Sequence, residues 1–85
     1  MKKVNYDAIT MGSFWNKCGS HIPHTVTKVR TILTWVAGEI VDPKVAPDNF
    51  SDEDCREILD ALRHRNRSQT QRLVLEAMRR VKENQ

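Results

Sequence analysis

The chain has 85 residues, 39% of them hydrophobic, with 14 Lys or Arg against 11 Asp or Glu for a formal net charge of +3. That length sets one domain with a single hydrophobic core and a thin stability margin, for which self-association is a ready supplement, and the basic balance excludes a nucleic-acid mimic built from massed carboxylates while favouring anionic partners. No apolar run approaches the ~20 residues that span a bilayer, and two cysteines, Cys18 and Cys55, far apart in a sequence without a leading apolar segment, indicate neither a disulfide framework nor a secretory route, so free thiols and a cytoplasmic protein without a membrane partner are expected.

Within residues 1–24, Ile9, Met11, Phe14, Trp15 and Cys18 mark a short helix stopped by Gly19, although Gly12, Ser13 and β-branched neighbours lower its propensity. Cys18, His21 and His24 then form a C-x2-H-x2-H cluster, which Cys55 or His64 would have to complete into a tetrahedral zinc site. Pro23 and the lack of a second paired motif favour a loop with two polar histidines, and neither metal nor other cofactor is expected.

The segment 25–41 repeats apolar residues at Val29, Ile32, Leu33, Val36 and Ile40, the spacing of one buried helical face, with Thr25 as cap and Asp42-Pro43 as stop. Trp35 projects roughly opposite that face, beside Lys28, Thr31, Gly38 and Glu39. Coverage by the N-terminal segment or another helix is the expectation for it; left exposed, it is an anchor for a protein contact. Residues 42–50 contain Pro43 and Pro47, show no period and read as a linker.

Ser51 is an N-cap with Asp54 three residues on, and Phe50 is placed to staple against Cys55. The helix 51–65 buries Cys55, Ile58, Leu59 and Leu62, and Asn66 suits the left-handed position at its end. Ser68 then caps a helix 68–83 whose inward face is Thr70, Val74, Ala77, Met78 and Val81. Leu75 falls outside that face among Arg72, Arg79 and Lys82. Together these elements predict an all-α fold, a bundle of three to four helices ending in an antiparallel helical hairpin.

Charge is segregated along the chain: residues 1–38 sum to +4, 39–60 to −6 and 61–85 to +5. An antiparallel hairpin sets Asp52, Glu53, Asp54 and Glu57 beside Arg79, Arg80 and Lys82, and helical spacing adds Asp52 with Arg56, Arg72 with Glu76, and Glu76 with Arg80. The hinge remains, where Arg63, His64, Arg65, Asn66, Arg67, Ser68, Gln69, Thr70, Gln71 and Arg72 follow one another with no acid between Asp60 and Glu76. Arginines beside free N–H groups at a helix N-terminus make a phosphate or carboxylate site, with Gln69 and Gln71 able to add base-edge or backbone contacts. The hinge does not support a standard helix-turn-helix, because aligning Asn66 or Arg67 with the turn glycine puts a charged residue at one or more of the required small or apolar positions.

The three glycines are isolated, the carboxylates of 48–60 form a helix start, and Cys18 with His21 or His24 lacks an orienting group, so no enzyme and no small-molecule substrate are expected. The leading expectation is a regulatory binding protein that docks nucleic acid through Arg63, Arg65, Arg67 and Arg72, with Gln69 and Gln71 adjusting register. A second is a protein-binding adaptor or inhibitor, of the compact kind that phages and other mobile elements encode, with Trp35 and Leu75 as anchors and arginines such as Arg79 at the rim. A third is a homodimer whose acidic and basic blocks pair between subunits.

Overall fold

A computed structural model of the chain describes residues 5–84; residues 1–4 of the N-terminal segment and Gln85 lie outside the described residues. The described residues form four α-helices and one 3-10 turn, with no strand: α1 (Tyr6–Cys18), α2 (Val26–Ile40), the turn Pro47–Asn49, α3 (Asp52–Arg63) and α4 (Arg67–Glu83). The all-α class read from the sequence is the observed one.

Each helix starts on a side chain that accepts a backbone hydrogen bond otherwise left unpaired. Asn5 accepts from the Ala8 N–H at 3.1 Å, Thr25 from Lys28 at 3.1 Å, Ser51 from Asp54 at 3.1 Å and Asn66 from Gln69 at 3.0 Å. The last corrects the expected cap at Ser68: the cap lies two residues earlier, at Asn66, and Ser68 is exposed inside the first turn. Arg65, not Asn66, takes the left-handed backbone, with φ at +55°. The Arg65 N–H donates to the Leu62 carbonyl (3.1 Å) and the Asn66 N–H to the Ala61 carbonyl (3.0 Å). This Schellman pairing consumes the end of α3 and delivers Asn66 to the capping position of the next helix.

Helix α1 ends at Gly19, whose φ of +59° suits a residue without a Cβ and whose N–H donates to the Trp15 carbonyl at 3.0 Å. Its buried face is Thr10, Met11, Phe14 and Cys18. Ile9, expected inside, is 47% exposed, since five residues at 3.6 per turn set it roughly 140° around the helix from Phe14. Thr10 fills the inward position instead, its hydroxyl satisfied by the Tyr6 carbonyl at 2.7 Å.

The core gathers Phe14, Val29, Ile32, Leu33, Val36, Cys55, Ile58, Leu62, Val74 and Val81. Helices α2 and α4 each pack against all three others, while α1 and α3 sit across the diagonal of the bundle. The inward faces read for α3 and α4 are all buried, with Ala61 added to α3; on α2, Ala37 is buried and Ile40 only partly so. The linker is less passive than its sequence implies. Val45 and Phe50 enter the core from either side of the 3-10 turn, where Asn49 Oδ1 accepts the Ala46 N–H at 2.8 Å.

Of the three pairs expected from helical spacing, Glu76 with Arg80 forms among the described residues and the other two are replaced. Arg80 meets Asp54 at 2.6 Å and Glu76 at 3.6 Å, so the end of α4 lies beside the start of α3. Asp52, however, pairs with Arg30 of α2 rather than Arg56, and Arg72 donates to Gln69 Oε1 at 2.7 Å rather than to Glu76. Lys82 turns away from the acids and sits 5.9 Å from the Tyr6 ring centroid, and Arg79 lines a depression with Tyr6 and Asp7. One of the two replacements crosses helices, Arg30 to Asp52, and the other stays local, Arg72 to Gln69 within α4.

No helix among the described residues is long and apolar enough to cross a membrane. The left-handed Arg65 sets one stability test. Glycine adopts that backbone freely, whereas a residue with a Cβ is disfavoured there by roughly 1–2 kcal/mol, offset in part by glycine's greater unfolded-state entropy. Arg65→Gly is expected to raise unfolding stability by about 0.5–1 kcal/mol in urea denaturation; a loss of stability would show that the Arg65 side chain supports the fold.

Candidate functional site

The Schellman turn and the end of α1 converge on one side of the bundle. Beyond Gly19 the chain turns through the His21 N–H to Cys18 carbonyl bond (3.2 Å) and carries Ile22 forward, with Pro23 buried behind it. Trp15, Ile22, Leu62, Arg65, Arg67 and Thr70 line a shallow groove. Ile22, His24, Leu62, Arg63 and Arg65 line its continuation. The floor is apolar, the rim carries three guanidinium groups, and no acid lines either part. Ile22, 41% exposed, is a large aliphatic side chain held at the surface of this groove.

The rim arginines are not equivalent. Arg67 lies over Trp15, its Cζ 4.4 Å from the ring centroid, an attraction between the cation and the ring quadrupole that fixes where the guanidinium sits. Arg63 and Arg65 are exposed and have no hydrogen-bonding or ion-pairing side chain among the described residues. Arg65 reaches the groove from the left-handed turn, a backbone state uncommon for a residue with a Cβ.

The remaining hinge residues are distributed elsewhere. Gln69 faces a second depression lined by Glu57, Asp60, Ala61, His64, Asn66 and Leu73, on the acidic side of the turn. There His64 Nδ1 stands 2.9 Å from the Asp60 carbonyl and 3.4 Å from its carboxylate. Arg72 is drawn to Gln69, and Gln71 is half-buried one turn beyond Arg67. The six-residue set read from the sequence is therefore split: Arg63, Arg65 and Arg67 share the groove, and Gln69, Gln71 and Arg72 do not line it. The N-terminus of α4 is also less open than expected, because Asn66 already accepts the Gln69 N–H.

Trp15 and Ile22 had no place in the sequence-based site. Ile22 carried a signal, being a large aliphatic residue between His21 and Pro23 with no helix to bury it. Trp15 read only as part of a helix face. Leu75 corrects a further expectation: it is half-buried against the core, near Ile40, Val41 and Met78, and makes no exposed surface with Trp35. Trp35 is uncovered by the described residues, 53% exposed, so the expectation that another element shields it fails.

Cys18 and Cys55 are buried, and burial raises both thiols above their ordinary pKa, which disfavours the thiolate that metal binding or nucleophilic attack requires. His21 and His24 are exposed, and among the described residues no three His, Cys, Asp or Glu side chains cluster as metal ligands. The chain matches no protein-family model, no curated protein and no solved structure.

Away from the groove, two surface carboxylates are tied to cations of another element. The hydrogen bond from Arg30 holds Asp52 below its usual carboxylate pKa, and Lys17, joined by the Ser13 hydroxyl at 2.9 Å, does the same for Glu39. The folded state thus binds fewer protons than the unfolded chain in acid. Their stabilising contribution is complete above the ordinary carboxylate pKa of about 4 and is lost as the pH falls through the depressed folded values. Unfolding in urea is expected to become easier below about pH 4, and Asp52→Asn to flatten that decline; an unchanged pH dependence in the variant would rule out the Arg30–Asp52 pair as a contributor.

Proposed function

We propose that this chain is a non-enzymatic regulatory binding module that docks nucleic acid through the groove rimmed by Arg63, Arg65 and Arg67. The observation that carries the reading is the composition of that groove: three guanidinium groups around an apolar floor with no acid lining it. Arg30, Lys17 and Arg80 are committed to carboxylates, whereas Arg63 and Arg65, like Lys28, Lys44, Arg56 and Arg79, have no ion-pair partner among the described residues; what sets Arg63 and Arg65 apart is that they share one groove. Guanidinium groups bind phosphate oxygens through paired N–H donors, and their attraction is strengthened where no acid competes.

Phosphate neutralisation releases condensed counterions, so affinity falls as salt rises, with a slope near 0.7–0.9 per phosphate contact on logarithmic axes. In fluorescence anisotropy, Arg63→Gln with Arg65→Gly is expected to weaken binding and reduce that slope by about 1–2. Both substitutions are compatible with the turn, so lost binding is not lost folding. A slope and affinity equal to those of the unsubstituted chain would remove the groove from the interaction.

A second reading, a protein-binding adaptor or inhibitor, has one observation in its favour. Trp35 is exposed on α2 one turn from Gly38, where a Cβ would meet nothing within 4 Å, so a large aromatic adjoins bare helix backbone. Such an aromatic is the usual centre of a protein contact. Trp35→Ala is expected to leave stability within about 0.5 kcal/mol and nucleic-acid affinity unchanged. A large drop in stability would identify Trp35 as part of the core and end this reading.

A further inference from the structure

Resting on the nucleic-acid reading, we propose that the groove takes unpaired bases, so that the partner is a single strand rather than a duplex. A duplex offers a flat arginine cluster its phosphates and keeps its base faces stacked inside. The surface here is neither flat nor uniformly polar. Trp15, Ile22 and Leu62 line the groove together with Thr70 and the guanidinium groups, so it offers a small apolar surface beside its charge, with Arg67 already stacked on the Trp15 ring. A nucleobase from a flexible strand fits that surface, and its backbone brings phosphates to both sides of it.

The arrangement of charge fits the same occupant. Arg67 is held on Trp15 at 4.4 Å, and Arg63 and Arg65 stand along the continuation of the groove with Ile22 between the two parts. A strand laid along this path meets cations at its backbone and apolar surface at its bases. On the other side of the turn, Glu57 and Asp60 repel phosphate and confine the path to the groove.

The test uses the full chain carrying Trp35→Phe, which leaves Trp15 as the single tryptophan. Labelled strands of about 12 residues, within the range of site sizes that single-strand binders show, are compared by anisotropy and by Trp15 emission: oligodeoxythymidylate, oligouridylate, a duplex, and an abasic deoxyribose-phosphate strand of equal length. The expected result is binding of a base-bearing strand at least about fivefold tighter than the abasic strand and the duplex, with quenching of Trp15 by the base-bearing strand. Ile22→Ser is expected to narrow that preference without altering the salt slope. Tighter binding of the thymidylate or of the uridylate strand would assign the sugar, either way supporting a single strand. Equal affinity for abasic and base-bearing strands, a preference for duplex, or unquenched Trp15 would overturn base capture and leave phosphate docking standing. No binding of any of the four at low salt would overturn the docking reading itself.

Discussion

Three residues, His64 to Asn66, separate α3 from α4, and in that space the chain must end one helix, reverse and cap the next. It does so by placing Arg65 in the left-handed region, pairing two N–H groups with carbonyls of α3 and offering the Asn66 side chain to α4. Lengthening the turn would shift α4 against α3 and pull Val74, Ala77 and Val81 out of register with Ile58 and Leu62 in the core. The same reversal presents Arg63, Arg65 and Arg67 within a few residues of one another at the end of the bundle. Chain direction and surface chemistry thus share one short segment.

The remaining charges divide according to whether a neighbouring helix supplies an opposite group. Glu39, Asp52 and Asp54 each reach a cation on another helix, which ties α1 to α2, α2 to α3 and α3 to α4. Such exposed pairs contribute about 0–1 kcal/mol each, so they orient the helices more than they hold them together. The holding force is the apolar centre, where α2 contributes Val29, Ile32, Leu33, Val36 and Ala37. Helix α1 is additionally pinned near its two ends by aromatic contacts, Tyr6 with Lys82 and Trp15 with Arg67. Arg67 and Lys82 thus each make a packing contact with α1 as well as carrying surface charge.

Amphipathic period made much of this legible before any coordinates. The inward residues of α3 and α4 and the caps at Thr25 and Ser51 follow from local pattern, because burial and N-capping depend on residues only three or four positions apart. What the pattern could not supply was partnership across the bundle. Asp52 had Arg56 within helical reach yet meets Arg30, 22 residues away. Leu75 looked exposed because the wheel of α4 alone does not include α1 and the end of α2, which lie against it. The arginines of the candidate site were visible in sequence, but their apolar floor was not, since Trp15 and Ile22 join it only when the end of α1 closes against the turn. Asparagine against serine at the start of α4 was decided by the hydrogen bonds of the preceding helix end, a contest that residue preference alone does not resolve.

The Arg67–Trp15 contact has a thermodynamic side. One guanidinium both fastens α1 to α4 and stands at the rim of the groove. If a phosphate draws it off the ring, the attachment of α1 loses a contact worth about 0.5–1 kcal/mol, equivalent to two- to fivefold in an equilibrium constant. In that case occupancy of the groove and docking of the first helix would be linked equilibria, and the linkage would be reciprocal: whatever held α1 more firmly through Trp15 would lower affinity at the rim by the same factor.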